Sequence, residues 1–146
     1  MEPTHWTSKD LASRIRKRGL RRAVARIAVE GGEEVHPALA FTAEDIDLDP
    51  EGFAMSMIRD SGRDDLVPLW QTNGTTVVYS TGDGRFQQWD AELDEPSEDW
   101  PDFTAAVRYL LTDLWEGQHT DEELAEIAAL LLPRRHREAA LRLEER

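Results

Sequence analysis

The pair Asn73-Gly74 constrains this chain more than any other feature of its sequence. Both residues tolerate positive φ, and this dipeptide between two strand-like runs is the strongest short-range signal for a β-hairpin. Leu66-Val67-Pro68-Leu69-Trp70-Gln71 precedes it, and Thr75-Thr76-Val77-Val78-Tyr79-Ser80 follows. Both runs favour a pleated, half-buried surface. A second turn, Thr81-Gly82-Asp83-Gly84, leads to Arg85-Phe86-Gln87-Gln88-Trp89-Asp90. The three runs predict an antiparallel meander over about residues 66–90. Pro68 has no amide hydrogen for a ladder, so the first strand should be an edge or carry a bulge. A period of two puts Val77 and Tyr79 on one face and separates Phe86 from Trp89.

A meander must bury at least one face, and the helical patterns supply the cover. Leu11, Ala12, Ile15, Leu20, Ala23, Val24, Ile27 and Ala28 recur at spacings of three and four, which predicts a helix over about 8–29. Thr7 or Ser8 can cap it, with Asp10 completing a capping box with Thr7. Gly19 weakens its middle, and Gly31 and Gly32 end it. Asp102 or Pro101 opens a helix over about 102–116 with the stripe Phe103, Ala106, Val107, Leu110, Leu111 and Leu114. Thr120 and Glu123 form a capping box for a helix over about 120–132, which Pro133 ends. Residues 134–146 predict a C-terminal helical extension that packs on the domain, makes a dimer contact, or frays. Residues 33–65 resist assignment. Val35, Ala38, Leu39, Ala40 and Phe41 suit a short buried piece, and residues 44–50 alternate acid with apolar. The expected fold is α+β, a single domain over residues 1–146 with an antiparallel sheet flanked by helices.

Charge narrows the partners. The 146 residues carry a net −13, distributed unevenly. Residues 1–31 have a net +5, residues 32–60 −7, residues 61–116 −9, and residues 117–146 −2. An acidic body of this kind disfavours nucleic acid and acidic membranes and favours a basic protein surface. The basic first helix, with Arg16-Lys17-Arg18 and Arg21-Arg22, carries no nucleic-acid recognition motif; a solvated basic face is the expected role. There is no cysteine, which excludes disulfides, thiolate metal sites and cysteine nucleophiles. No apolar leader and no run of about 18 apolar residues is present, so the cytoplasm is the expected location.

Catalytic and metal patterns fail on inspection. Asp45, Asp47 and Asp49 suggest a calcium loop, but its sixth and twelfth positions are Pro50 and Ser56 instead of glycine and glutamate. Gly82-Asp83-Gly84 lacks the flanking residues of a phosphate loop and is a turn. His5, His36, His119 and His136 form no helical pair. No catalytic, cofactor-binding or metal-binding residue is therefore expected. The five tryptophans, at 6, 70, 89, 100 and 115, suit a core with interface anchors.

Residues 66–115 resemble the second half of the SUKH superfamily, which includes yeast cell-wall-synthesis regulators and bacterial immunity proteins. The likeness rests on Val67-Pro68-Leu69-Trp70, Asn73-Gly74 and Thr76-Val77-Val78-Tyr79. It continues through Gly84-Arg85-Phe86-Gln87-Gln88-Trp89-Asp90 to Asp102-Phe103 and Leu110-Leu111. Residues 1–65 lack the family's L-P-x-x-Y/F segment. The resemblance implies one curved sheet with flanking helices and a binding protein without catalysis, whose bacterial relatives commonly neutralise a toxin, often a nuclease.

The leading expectation is a non-enzymatic protein-binding domain, of immunity type, that masks a basic partner. Its contact region is Asp90, Glu92, Asp94, Glu95, Glu98, Asp99, Trp100 and Asp102, with the acids steering and Trp100 anchoring. The alternatives are an assembly or regulatory subunit that homodimerises through its terminal helices, and a small ligand-binding domain or enzyme with its site in the sheet's concavity.

Overall fold

A computed structural model of the chain describes residues 6–143. Ser8–Lys17 form α1 and Arg22–Glu30 form α2. Two 3-10 turns, Gly32–Glu34 and Pro37–Leu39, lead to α3, Phe53–Ser61. Four strands follow: β1 (Val67–Thr72), β2 (Thr76–Ser80), β3 (Phe86–Asp90) and β4 (Glu98–Trp100). The chain then forms α4 (Phe103–Glu116), α5 (Asp121–Leu131) and α6 (Arg134–Ala140).

The sheet is antiparallel in the order β1-β2-β3-β4, so the predicted meander forms and gains one short strand. Asn73 and Gly74 adopt φ of 55° and 71°, and Thr75 N–H closes the turn on the Thr72 carbonyl at 3.2 Å. Both expectations for Pro68 hold. β1 is an edge strand, and its register with β2 shifts between Pro68 and Trp70. Val77 pairs with Trp89 and Ser80 with Phe86, which puts the last two aromatics on opposite faces as expected. β4 lies between the predicted meander and the predicted helix over 102–116; it pairs Trp100 with Phe86 and Glu98 with Gln88.

Helices cover the sheet from both sides, so β2 is buried along nearly its whole length. On one side Phe103 of α4 packs against Trp70 and Phe86, with ring centroids 6.2 and 5.2 Å apart. On the other, the Tyr79 hydroxyl donates to the Ala54 carbonyl of α3 at 2.8 Å. Burial pushes the Tyr79 phenol well above its ordinary pKa, so it stays a neutral donor. α1 and α2 pack along β1. α6 folds back on α4 and α5. Arg137 donates to the Leu132 and Ala129 carbonyls at 3.1 and 3.3 Å, and Ala140 is fully buried. The tail thus packs on the domain, and the final part of the predicted extension lies outside the described residues. One hydrophobic cluster reaches from Leu11 to Ala140.

The single helix expected over 8–29 is two helices. Gly19 takes φ of +80°, a conformation glycine enters without a Cβ penalty, and the chain reverses there. A continuous helix of that span would be about 33 Å long, against about 20 Å for the strands beside it. The break lets Leu11 and Ile15 of α1 share one core with Val24, Ile27 and Ala28 of α2.

Arg18, in the break, ties this helical pair to the sheet. Its guanidinium donates to Ser80 Oγ at 2.9 Å, to the Thr81 carbonyl at 2.6 Å and to the Asp65 carbonyl at 2.6 Å. The Asp65 carboxylate in turn accepts from Arg63 at 2.9 and 2.8 Å and from Gly82 N–H at 2.9 Å. The hydrogen bonds from Arg63, assisted by the Gly82 amide, hold the Asp65 carboxyl down at about 2.

Removing Arg18 orphans three acceptors, so Arg18→Ala should cost about 3 kcal/mol of unfolding free energy. Arg18→Lys should recover little of it, because one ammonium cannot span three divergent acceptors. Urea titrations of the two variants check both expectations. A depressed carboxyl pKa stabilises the fold above the unfolded value and loses that contribution as pH falls towards the folded value. Asp65→Asn should therefore cost about 1 kcal/mol at pH 7, after allowing for the partial exposure of the pair. The gap to the parent should close between about pH 4 and pH 2, as denaturation at stepped pH would show.

Candidate functional site

The β1–β2 turn and the β3–β4 connection lie at the same end of the sheet, and a third segment joins them from the first half of the chain. Glu44 forms a two-way backbone bridge with Gln71 on the outer edge of β1, with N–H to O distances of 2.8 and 3.1 Å. Its carboxylate accepts from Asn73 N–H in the hairpin turn at 2.6 Å. Asp47 N–H donates to Gln71 Oε1 at 3.1 Å, and Thr72 Oγ1 donates to the Thr42 carbonyl at 2.7 Å. On the other flank, Ala91 N–H donates to the Thr75 carbonyl at 2.8 Å, and Thr76 Oγ1 to Asp90 at 2.6 Å. Three strand spacings, about 14 Å, separate these flanks.

Gly32 fixes the first segment. Its N–H donates to the Ala43 carbonyl at 2.7 Å, and a Cβ there would lie 2.3 Å from that oxygen. Only glycine allows the approach that places Glu44 beside β1. Ile46 N–H then donates to the Ala28 carbonyl at 2.8 Å, which pins the same loop to α2. Asp47 and Asp49 accept from the amides of Asp49 and Glu51 at 3.0 and 2.9 Å, so both act as local turn formers.

The result is an acidic sheet end. Glu44, Asp45 and Asp47 stand on one flank, and Asp90, Glu92, Asp94 and Glu95 on the other. No lysine or arginine occurs between Arg26 and Arg59 or between Arg85 and Arg108 in the sequence, so neither acidic segment contains a cation of its own; Arg59 reaches the first from α3, donating to the Pro50 carbonyl at 3.3 Å. An open cleft of about 520 Å³ lies between the 44–48 loop and the hairpin turn. Two apolar side chains protrude at this end: Phe41 is 86% exposed and Leu93 49% exposed.

The residues predicted from sequence divide in use. Glu92, Asp94 and Glu95 are exposed and make no hydrogen bond or ion pair with a described residue. Glu98 is partly buried in β4. Asp90 is engaged by Thr76, Asp99 forms an ion pair with Arg85 at 2.8 Å, and Asp102 caps α4 by accepting from Ala105 N–H at 2.9 Å. Trp100 corrects the expectation of an exposed anchor. It is only 9% exposed, because β4 pairs with β3 and turns its ring onto Tyr109 of α4, 5.2 Å between centroids. Phe41 is a second correction: read as part of a buried piece, it stands at the tip of the turn after Leu39 and points outward. A polar pocket of about 200 Å³ between β4 and α4, lined by Glu98, Asp99, Arg108 and Tyr109, is smaller than the about 300 Å³ at which ligand sites begin.

Chemically, this end can attract and hold cations on a surface. Its carboxylates act over a Debye length of about 8 Å at physiological salt. Among the described residues, no group of three or more His, Asp or Glu side chains is placed to hold a metal ion, and no helix is long and apolar enough to cross a membrane. His36 has a structural part: its Nδ1 accepts from Ala38 N–H at 3.1 Å, and its Nε2 lies 3.0 Å from Glu126 of α5.

Comparison of the chain with protein-family models, with curated proteins and with solved structures found no match.

Glu92, Asp94 and Glu95 carry no structural contact, so replacing all three by their amides should change unfolding free energy by less than about 0.5 kcal/mol. Asp102→Ala should cost about 1 kcal/mol through the lost cap. Thermal melts followed by circular dichroism would separate the solvated carboxylates from the structural one.

Proposed function

We propose that this chain is a non-enzymatic protein-binding domain that covers a basic surface on its partner, in the manner of the SUKH-like immunity proteins that residues 66–115 resemble. The supporting observation is the meeting of two acidic segments, distant in sequence, around one hairpin turn, with Phe41 and Leu93 exposed among them. Interfaces of this kind use charge for encounter and register, and a few desolvated apolar or aromatic side chains for affinity. Phe41 takes the anchoring part that the sequence reading gave to Trp100. Glu92, Asp94 and Glu95, with Glu44, Asp45 and Asp47, supply the steering field. A basic toxin such as a nuclease is the partner class that this reading fits. Burying its cationic, nucleic-acid-facing surface would block substrate by occupation alone.

The test pairs the full chain with the basic product of a gene adjacent to its own. The expected result is co-purification and relief of that product's growth inhibition. Both should fall at least about tenfold for Phe41→Ser combined with Glu92→Gln, Asp94→Asn and Glu95→Gln, a loss that a single anchor and three steering charges can supply. Binding that survives the four substitutions, or no association with any basic neighbour, rejects the reading.

A further inference from the structure

We propose that the trough between α1 and α2 is a docking site for an acidic amphipathic helix of a partner protein. It is separate from the Glu92, Asp94 and Glu95 flank of the acidic sheet end. The trough has a volume of about 590 Å³ and opens to solvent along the pair of helices. Its walls carry Lys9 and Arg16 from α1 and Arg22, Arg26 and the acidic Glu30 from α2; its floor is Ala12, Ala25 and Val29.

The basic residues of this region separate by use. Arg18 is spent on the sheet, and Arg21 donates to the Ala129 carbonyl at the end of α5 at 3.1 Å. Arg14 lies over the Trp6 ring at 4.3 Å, and Arg26 pairs with Glu30 at 3.0 Å. The side chains of Lys9, Arg16 and Arg22 make no hydrogen bond or ion pair with any described residue, and all three residues are exposed; Lys9 acts on Asp10 only through space. Three cations with no ion-pair partner among the described residues thus flank an apolar floor on a protein whose remaining segments are all net negative.

That combination selects the occupant. The floor favours an apolar stripe, as in helix-in-groove recognition, and the walls favour carboxylates beside that stripe. A nucleic-acid backbone would leave the floor uncovered, and the net charge of −13 penalises a polyanion. The trough also has a direction. At Ser8 and Val29 it meets the cleft lined by Glu44, Asp45 and Asp47. The acidic residues of the bound helix therefore lie towards Arg16 and Arg22 and stop short of Val29. α1 is about 15 Å long, which accommodates about three turns of a partner helix.

The probes are a fluorescein-labelled helix-forming peptide of about 14 residues, with leucine and alanine on one face and glutamate on the other, and its glutamine twin. A short DNA duplex is the third. Fluorescence anisotropy with the full chain should show saturable binding of the glutamate peptide and at least about tenfold weaker binding of the twin and the duplex. Arg16→Glu with Arg22→Glu should weaken the glutamate peptide at least about tenfold, whereas Lys17→Glu, an equal charge change per site outside the trough, should alter it less than about twofold. Unchanged melting temperatures would show that the variants fold. Glu92→Gln, Asp94→Asn and Glu95→Gln together should leave peptide binding intact, which keeps this site apart from the acidic end. The proposal is overturned if the glutamate peptide does not bind, if the twin or duplex binds as well, or if Lys17→Glu acts as strongly as the trough variant. A salt-sensitive dimer abolished by Arg16→Glu and Arg22→Glu would show that a second copy fills the trough, and would overturn it equally.

Discussion

The grip of Arg18 on the sheet is the contact on which the rest of the arrangement depends. One planar guanidinium satisfies acceptors on Asp65, Ser80 and Thr81, residues that enter and leave the first two strands. It can do so only because the helix stops before it and the chain reverses at Gly19. That reversal brings α2 beside β1, and α2 in turn receives the 44–48 loop through Ile46. The acidic sheet end and the basic trough are both built outward from this junction.

Charge is sorted in space as well as along the chain. Part of it is spent on structure: Asp65 on Arg63 and Gly82, Asp99 on Arg85, Asp102 on the amide of Ala105. These groups are satisfied locally and contribute little free field. What remains is an acidic end built from two segments that contain no lysine or arginine, and a pair of helices on which three cations form no ion pair among the described residues. Both surfaces place apolar side chains among like charges, the composition expected where association needs both steering and desolvation. Exposed side chains among uncompensated carboxylates serve folding poorly, since like charges repel in the compact state.

Local chemistry made most elements legible. Asn73-Gly74 required positive φ at two successive positions, Pro68 withheld a donor, and the capping boxes at Thr7 and Thr120 form with both hydrogen bonds in place. The site was legible only in part. Glu92, Asp94 and Glu95 are solvated, as an acidic and proline-bearing run should be. Trp100 looked like a surface anchor because nothing in the acids before it announces a strand; pairing with β3 buried it. Phe41 looked buried because its neighbours Ala38 and Leu39 are, but a 3-10 turn changes the direction of successive side chains sharply.

By itself the sequence determined the meander, the caps, the stripes that must be buried and the unequal distribution of charge, because each depends on residues within a few positions of one another. Tertiary structure alone decided that Glu44 sits beside Asn73, that α1 and α2 enclose a trough, and which carboxylates remain free. Those outcomes depend on contacts across tens of residues: the close approach at Gly32 and the reach of Arg18. No local pattern encodes the partner of a hydrogen bond that far along the chain.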